Sequence, residues 1–172
     1  MVLWFAGTSL LAVWLVFRDP AIDHRLVVVG ALLPDVIDVF TGGPWVLHSL
    51  FASVVLLAAV MFGTVRRRQL RRQLIALPIG TFLHLVFDGA WNDTDTFWWP
   101  FSGGFGDGRL PSIERGGASF ALEIVGLGML AWLYRTWRLD QPEERARFIR
   151  TGRLARDLAG PGPGPAGRRR PS

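Results

Sequence analysis

The chain has 172 residues, half of them hydrophobic, a formal net charge of +5 and a mean hydropathy of +0.29. It contains no cysteine, which excludes disulfides and thiolate metal sites, so a metal ion would have to be held by oxygen and imidazole ligands. Every basic residue is an arginine, and the arginines stand beside long apolar stretches. That distribution fits membrane topology better than a nucleic-acid partner, and no nucleic acid is expected.

Five apolar stretches predict an all-α fold, a polytopic membrane helical bundle of about five transmembrane helices. About 20 apolar residues are enough to cross a bilayer as a helix. In chain order the predicted spans are residues 1–17, 26–40, 45–65, 73–91 and 117–137. The first stretch lacks the basic beginning and the small-residue cleavage site of a signal peptide, which favours a span there. The second is short and contains Pro34, Asp35 and Asp38, so hydropathy alone leaves open whether it crosses the whole bilayer.

The arginines also predict the orientation of the spans. They concentrate in residues 18–25, in residues 66–72 and from Arg135 onward, and only Arg109 and Arg115 lie elsewhere. Positively charged segments next to spans stay in the cytoplasm. We therefore predict a multi-pass protein of the cell (inner or plasma) membrane, with the N-terminus outside and the C-terminus cytoplasmic.

This topology divides the chain into two parts. Residues 1–140 are predicted to form the transmembrane helical domain, with membrane lipids as partners. Residues 141–172 are predicted to form a basic, Gly/Pro-rich cytoplasmic tail that is disordered toward its end. His24 falls in the first cytoplasmic segment, and we predict it to be a solvated loop residue.

Six ionisable residues fall inside four of the predicted spans, although each costs about 2.5–3.5 kcal/mol there. With a helical rise of about 1.5 Å per residue, they lie about 15–25 Å from the cytoplasmic ends of the spans, in one layer. They are Asp35, Asp38, His48, His84, Asp88 and Glu123. Asp35 and Asp38 are three residues apart, and His84 and Asp88 are four apart, so each pair shares a helix face.

Three carboxylates and two imidazoles at one level predict a metal site. The predicted ligands are Asp35, Asp38, His48, His84 and Asp88. Without thiolates, this donor set suits a divalent ion such as Zn²⁺, Mn²⁺ or Fe²⁺. The alternative is a set of polar residues that hold the helices together without a metal ion.

Two further residues bear on this site. Pro34 is expected to weaken the helix just before Asp35 and to free backbone carbonyls there. Glu123 is predicted either to support a metal ligand from the second shell or to hydrogen-bond between packed helices, and the sequence favours neither.

The same residues carry a resemblance to a known family. Four motifs follow one another in the family's order: Leu-Pro-Asp-Val-Ile-Asp at residues 33–38, His48-Ser49, His-Leu-Val-Phe-Asp at residues 84–88, and Trp-Pro-Phe at residues 99–101. Over roughly residues 26–101 the chain resembles the predicted membrane-bound metal-dependent hydrolases, also described as LexA-binding, inner-membrane-associated hydrolases. The resemblance implies a multi-helix membrane fold, a bound metal ion and hydrolytic activity.

The chain departs from the family's pattern at two places. Family members usually carry a His-Arg pair shortly before the His-Ser motif, and here residues 42–47 read Gly-Gly-Pro-Trp-Val-Leu. Many also carry a histidine inside the first helix, and this chain has none there. These departures leave the predicted fold intact and bear on the predicted catalysis.

The function predicted from the residues and the resemblance is a membrane-embedded metal-dependent hydrolase. We predict His48 and Asp38 as its catalytic residues, with His48 serving as a ligand or as a general base. A site at this depth suggests a lipid or envelope-derived ester or phosphoester as substrate. The alternatives are a non-catalytic membrane scaffold or accessory subunit, and an ion or proton pathway. The cytoplasmic halves of the spans are almost wholly apolar, which disfavours the pathway.

Overall fold

Helices are the regular elements in the part of the chain that the structure describes. The computed structural model describes residues 1–41, 46–102 and 117–158. Its α-helices are α1 (Val2–Phe17), α2 (His24–Thr41), α3 (Leu50–Gly63), α4 (Arg68–Leu74), α5 (Ala76–Asp88), α6 (Thr94–Phe97), α7 (Gly117–Thr136) and α8 (Pro142–Thr151). Short 3₁₀ turns lie at Val46–His48, Ala90–Asn92 and Arg156–Leu158. The predicted all-α class is confirmed.

Each predicted span contains a helix, but several helices are shorter than the spans. α1, α3 and α5 have 16, 14 and 13 residues. Helices of that length extend about 20–24 Å, less than the roughly 30 Å hydrocarbon core of a bilayer. Within the described ranges, one helix is long and apolar enough to cross a membrane: α7, with 20 residues and a mean hydropathy of 1.5. Helix length therefore does not support the prediction of five crossing helices, and five crossings stay a prediction.

Local end signals explain why the helices are shorter. α3 begins at Leu50 because the Ser49 side chain accepts a hydrogen bond from the Ala52 backbone N–H at 3.1 Å and caps the helix. α5 ends before Gly89, whose φ of 74° is the left-handed conformation that terminates a helix. Apolar stretches thus overestimate the helices by including their capping turns.

Large apolar side chains cover much of the described surface. In the most apolar 18-residue window of α7, 11% of the residues are buried, and Phe120, Ile124 and Leu127 are all exposed. Polar groups such as His48, His84 and Asp38 are buried instead. Exposed apolar surface of this extent marks contact with a membrane or with another protein.

Helices α1 and α7 cross with their backbones in contact. A Cβ atom on Gly126 would overlap the backbone of Leu3, and one on Gly7 would lie 2.8 Å from the carbonyl oxygen of Gly126. Glu123, one turn earlier on α7, accepts a hydrogen bond at 2.8 Å from the Leu3 backbone N–H, which is unsatisfied within α1. Small residues and one interhelical carboxylate therefore hold this pair together, as expected where helices pack closely.

Helices α2 and α5 make the second close crossing, and it positions the candidate site. A Cβ atom on Gly30 would overlap the carbonyl oxygen of Leu77, and one on Gly80 would overlap that of Val27. His84 lies one turn beyond Gly80, and Asp35 lies five residues beyond Gly30. The glycine contact therefore brings these two side chains to the same level.

The segment after residue 141 folds back onto the start of α2. The His24 backbone N–H donates to the carbonyl oxygen of Gly152 at 2.9 Å, and the Leu154 N–H donates to that of Pro20 at 3.0 Å. Helix α8 and the turn that follows it therefore belong to the folded part of the chain, and the disorder predicted toward the end of the tail stays a prediction. Residues 159–172, which carry the Gly-Pro repeats, lie outside the described residues.

The same docking buries His24, so the prediction of a solvated loop residue was wrong. Its side chain is 0% exposed, and its ring lies edge-on to Trp137 with 4.9 Å between the ring centroids. Its Nδ1 lies 3.2 Å from the carbonyl oxygen of Gly152. Burial lowers the pKa of His24, because the charged imidazolium loses its hydration there.

Candidate metal centre

Three of the predicted ligands converge. One ligand atom each from Asp35, His48 and His84 lies within 4.8 Å of the other two. Asp35 comes from the second half of α2, His84 from α5, and His48 from the 3₁₀ turn that precedes α3. Three separate elements therefore meet at one point, which we call the Asp35 cluster.

His84 is held rigidly by its surroundings. It is fully buried, and its Nδ1 lies 2.7 Å from the carbonyl oxygen of Ala31. A carbonyl oxygen only accepts hydrogen bonds, so Nδ1 carries the proton and Nε2 is free to act as a ligand. Phe5 packs against the ring with 4.1 Å between the centroids. The side chain is thus oriented before any ligand arrives.

Pro34 changes the backbone hydrogen bonding of α2 one residue before Asp35. α2 continues through the proline, which has no N–H to donate to the carbonyl oxygen of Gly30. The Thr81 hydroxyl of α5 lies 3.2 Å from that oxygen, and it is equally far from the carbonyl oxygen of Leu77 in its own helix. The expectation that Pro34 frees a carbonyl is met, and the helix remains unbroken because α5 supplies a donor.

His48 is oriented by a carboxylate. Its Nδ1 lies 3.1 Å from Oδ2 of Asp38, and both side chains are buried. A carboxylate behind the second nitrogen is the usual support of a metal-binding histidine, because it fixes the tautomer and makes the ring more basic. Ser49 caps α3 directly after the ring and so fixes the turn that carries it.

The two histidines face each other through their remaining nitrogens. Nε2 of His84 lies 3.2 Å from Nε2 of His48. With Nδ1 protonated in both neutral rings, each Nε2 presents a lone pair to the other, and two lone pairs repel at this distance. A shared cation, either a metal ion or an added proton on His48, removes the repulsion.

The donor set fits a divalent metal ion. Two imidazole nitrogens bound tetrahedrally at about 2.0–2.1 Å from Zn²⁺ lie about 3.3 Å apart. The two Nε2 atoms are 3.2 Å apart, and Oδ1 of Asp35 lies 3.6 Å from Nε2 of His84. These two distances are close to those between ligands of one ion, and all three ligand atoms lie within 4.8 Å of one another.

The other predicted site residues surround this cluster. Asp38 lies behind His48, so the geometry favours it as a positioning residue, and its role as a direct ligand stays a prediction. Asp88 is buried at the end of α5 and lies outside the group of converging ligand atoms, so its role as a ligand stays a prediction.

Glu123 lies at the edge of the site. It accepts the Leu3 N–H, and its Oε1 is 3.7 Å from the Met1 amino group, which is 3.9 Å from Oδ2 of Asp35. Its helix-packing role is visible, and any support of the metal ligands stays a prediction.

Several residues that shape the site escaped prediction. Phe5 and the carbonyl of Ala31 orient His84, and Thr81 satisfies the carbonyl freed by Pro34. None of these has a sequence signal, because each acts through a neighbour far along the chain. Ser49 does have one: a serine just before an apolar run is a helix-start signal.

Comparison with known proteins adds no identification. No family model matches the chain, and no curated protein or solved structure matches it. The resemblance to membrane-bound metal-dependent hydrolases therefore stays a prediction.

Proposed function

We propose that the chain is a multi-pass membrane protein that binds one divalent metal ion at the Asp35 cluster and hydrolyses a lipid or envelope-derived ester or phosphoester. The observation that carries the proposal is the pair of opposed Nε2 atoms of His48 and His84, 3.2 Å apart, with both Nδ1 atoms facing acceptors. A cation between the two Nε2 atoms would be bound by both imidazoles.

Three observations support placing the site in the cell membrane. Helix α7 has the length and composition of a membrane span, and its apolar side chains point outward. All arginines except Arg109 and Arg115 lie in the segments that the topology assigns to the cytoplasm. Polar side chains such as those of His48, His84 and Asp38 are buried inside the bundle, while large apolar side chains lie on its surface. In this proposal α1, α2, α3 and α5 accompany α7 as the remaining spans.

Each residue of the site has a definite task in the proposed reaction. His84 and His48 present Nε2 in fixed orientations, and Asp35 adds a carboxyl oxygen from a side chain that is 26% exposed and so lies on the open side of the site. Asp38 keeps His48 in the tautomer that leaves Nε2 unprotonated. A divalent ion held there would supply Lewis acidity toward an ester or phosphoester oxygen and lower the pKa of water. Asp88 completes the negative charge that balances the ion.

The metal content of purified protein tests the proposal. Protein in detergent, exposed in turn to Zn²⁺, Mn²⁺ and Fe²⁺ and then desalted, is expected to retain about one ion per chain. His84→Gln is expected to lose it. His24→Gln provides a matched control, because His24 is also buried but lies at the opposite end of α2. Equal metal in both variants, or none in the unmodified protein, would contradict the metal site.

Activity is tested separately. The metal-loaded protein is incubated with a panel of phospholipids and other lipid phosphoesters, and the released headgroups are measured by mass spectrometry. Turnover that disappears on chelation and in His84→Gln supports a hydrolase. Stoichiometric metal without turnover on any substrate would leave a metal-binding membrane protein and refute the hydrolase.

One alternative is favoured by a specific observation. An added proton on Nε2 of His48 would also remove the repulsion between the two Nε2 atoms, and the carboxylate of Asp38 would stabilise the charged ring. The cluster would then be a polar contact that holds α2, α3 and α5 together in a non-catalytic scaffold. The metal analysis decides between the two, since a proton-bridged pair retains no ion.

A further inference from the structure

An apolar crevice runs between α1, α3 and α5. Its volume is about 390 Å³, and almost all of its surface is hydrocarbon. Val13 and Pro78 form buried parts of its wall, whereas Val16, Val54 and Phe82 are exposed at its rim. The crevice is therefore open along one side and closed behind.

The crevice begins at the level of the Asp35 cluster and extends away from it in one direction. On α3 its lining starts at Leu50, two residues after His48, and on α5 it ends at Leu83, next to His84. On α1 the lining runs from Ala12 to Phe17, or about 7.5 Å along the helix, and on α3 it runs from Leu50 to Leu57, or about 10.5 Å. The crevice therefore has room for a segment of a hydrocarbon chain that lies along these helices.

One polar atom lines this apolar space. The Ser53 side chain is 4% exposed, and its Oγ has no hydrogen-bond partner within the described part of the chain. A serine inside a helix can usually donate to the carbonyl four residues earlier, and a buried hydroxyl left without a partner is destabilising. Ser53 lies about 7.5 Å along the chain from His48 when counted at the helical rise. Its position calls for an acceptor that enters the crevice with the ligand.

We propose that the crevice binds one acyl chain of a glycerophospholipid, with the acyl ester carbonyl accepting a hydrogen bond from Ser53 Oγ and the headgroup phosphate directed toward the Asp35 cluster. This inference rests on the proposed function and specifies its substrate class. The apolar lining matches the chain, the open side admits it laterally from the bilayer, and the order of groups along the lipid matches the order of sites along the crevice. A polyisoprenyl phosphate would fill the same space but has no ester carbonyl to pair with Ser53.

Photolabelling tests where the lipid lies. The full chain is reconstituted into nanodiscs of phosphatidylethanolamine and phosphatidylglycerol, with a small fraction of phosphatidylglycerol that carries a diazirine in its acyl chain. After irradiation, labelled residues are mapped by mass spectrometry. Labels are expected to concentrate on α1, α3 and α5 around Val16, Leu57 and Phe82. Labelling spread evenly over the apolar surface, including α7, would overturn the proposal.

Two substitutions separate the crevice from general lipid contact. Leu57→Trp fills the mouth and is expected to reduce crevice labelling about ten-fold, as the loss of a well-packed apolar contact predicts. Ile124→Trp adds the same side chain on the exposed face of α7 and is expected to leave crevice labelling unchanged. Equal labelling in both variants would overturn the proposal.

Competition between lipids tests the hydrogen bond from Ser53 to the acyl ester carbonyl. Unlabelled ester-linked phosphatidylglycerol is expected to displace the label about five-fold better than its ether-linked analogue, the value of one net hydrogen bond. In Ser53→Ala, which removes one oxygen and leaves the packing intact, the two lipids are expected to compete equally. Equal competition in the unmodified protein, or stronger competition by a polyisoprenyl phosphate, would overturn the assignment of a glycerophospholipid.

The same labelling in His84→Gln distinguishes this inference from the proposed function. A variant without metal or turnover that still labels in the crevice shows a lipid site independent of the hydrolase. Metal and turnover without crevice labelling would refute only the acyl-chain site.

Discussion

The two ends of the molecule each bury a histidine, and they bury it differently. His84 and His24 are both fully inaccessible, and the Nδ1 of each lies near a backbone carbonyl oxygen. At His84 the second nitrogen meets another imidazole and a carboxylate, whereas at His24 it has no hydrogen-bond partner among the described residues and the ring lies against Trp137.

The difference shows what turns a buried histidine into a candidate ligand. Burial and a bonded Nδ1 are common to both, so neither is diagnostic. What distinguishes the Asp35 cluster is that its free nitrogens converge on other donors of electron pairs. At His24 the neutral ring is enclosed by packing, so this histidine serves the docking of the C-terminal segment.

The largest expected effect is the loss of metal in one histidine variant and not in the other. His84→Gln removes an imidazole ligand, and at least a hundred-fold weaker binding of Zn²⁺ is expected, about 2.7 kcal/mol or more. His24→Gln is expected to leave the affinity unchanged within about two-fold. Competition with a fluorescent zinc chelator measures both, and similar losses in the two variants would break the comparison.

Asp38→Asn tests whether the carboxylate of Asp38 supports His48 or binds the metal ion directly. The amide can keep a contact with Nδ1 of His48 but no longer carries the charge that favours the ring's ligand tautomer. Loss of a supporting carboxylate lowers metal affinity about 10–100-fold. An effect as large as that of His84→Gln would instead indicate that Asp38 binds the metal directly, as the sequence also allowed.

Two glycine substitutions compare the packing of the two ends. Gly80→Ala places a Cβ against the carbonyl oxygen of Val27, and a destabilisation of about 1–3 kcal/mol with loss of metal is expected, because α2 and α5 must separate. Gly152→Ala is strained by a φ of 68° and by contact with Asp23, so the segment 142–158 should become sensitive to trypsin while metal binding persists. Gly128→Ala, whose Cβ would meet no atom of the described residues within 4 Å, is the control for both. Thermal unfolding, metal content and proteolysis are measured on each.

The smallest expected effect is a pH dependence confined to the His24 end. Burial holds the pKa of His24 below its ordinary value near 6.5. His24 therefore takes up a proton at a higher pH when the segment is undocked than when it is docked. Docking of residues 142–158 should therefore be strongest above pH 6.5 and weaken as the pH falls below it, by at most about 1.4 kcal/mol per pH unit. The negative charges of Asp23 and Asp19 oppose this shift and reduce it.

Hydrogen exchange in α8 at several pH values, corrected for the intrinsic exchange rate, measures this effect. His24→Gln is expected to remove the pH dependence. A dependence that persists in the variant would place its origin in another group.

Much of the candidate site could be predicted from the sequence. The spacing of Asp35, His48 and His84 within apolar stretches singled them out, since ionisable residues in such stretches are costly and need a reason. The role of Asp38 could not be derived in the same way, because spacing along a helix does not tell which carboxylate faces an ion and which faces a ligand's second nitrogen. The burial of His24 escaped as well, because the residues that cover it lie more than 110 positions later in the chain.

The sequence by itself determined the helical class, the positions of the polar residues along the helices, and the arginine-rich segments that predict orientation. These properties depend on local periodicity and composition, which act over a few turns of chain. The tertiary structure decided which polar residues meet. Gly30 and Gly80 let the backbones of α2 and α5 touch, and Ser49 caps α3 directly after His48. Convergence depends on contacts between residues about 50 positions apart, such as His84 with Ala31, which no local pattern encodes.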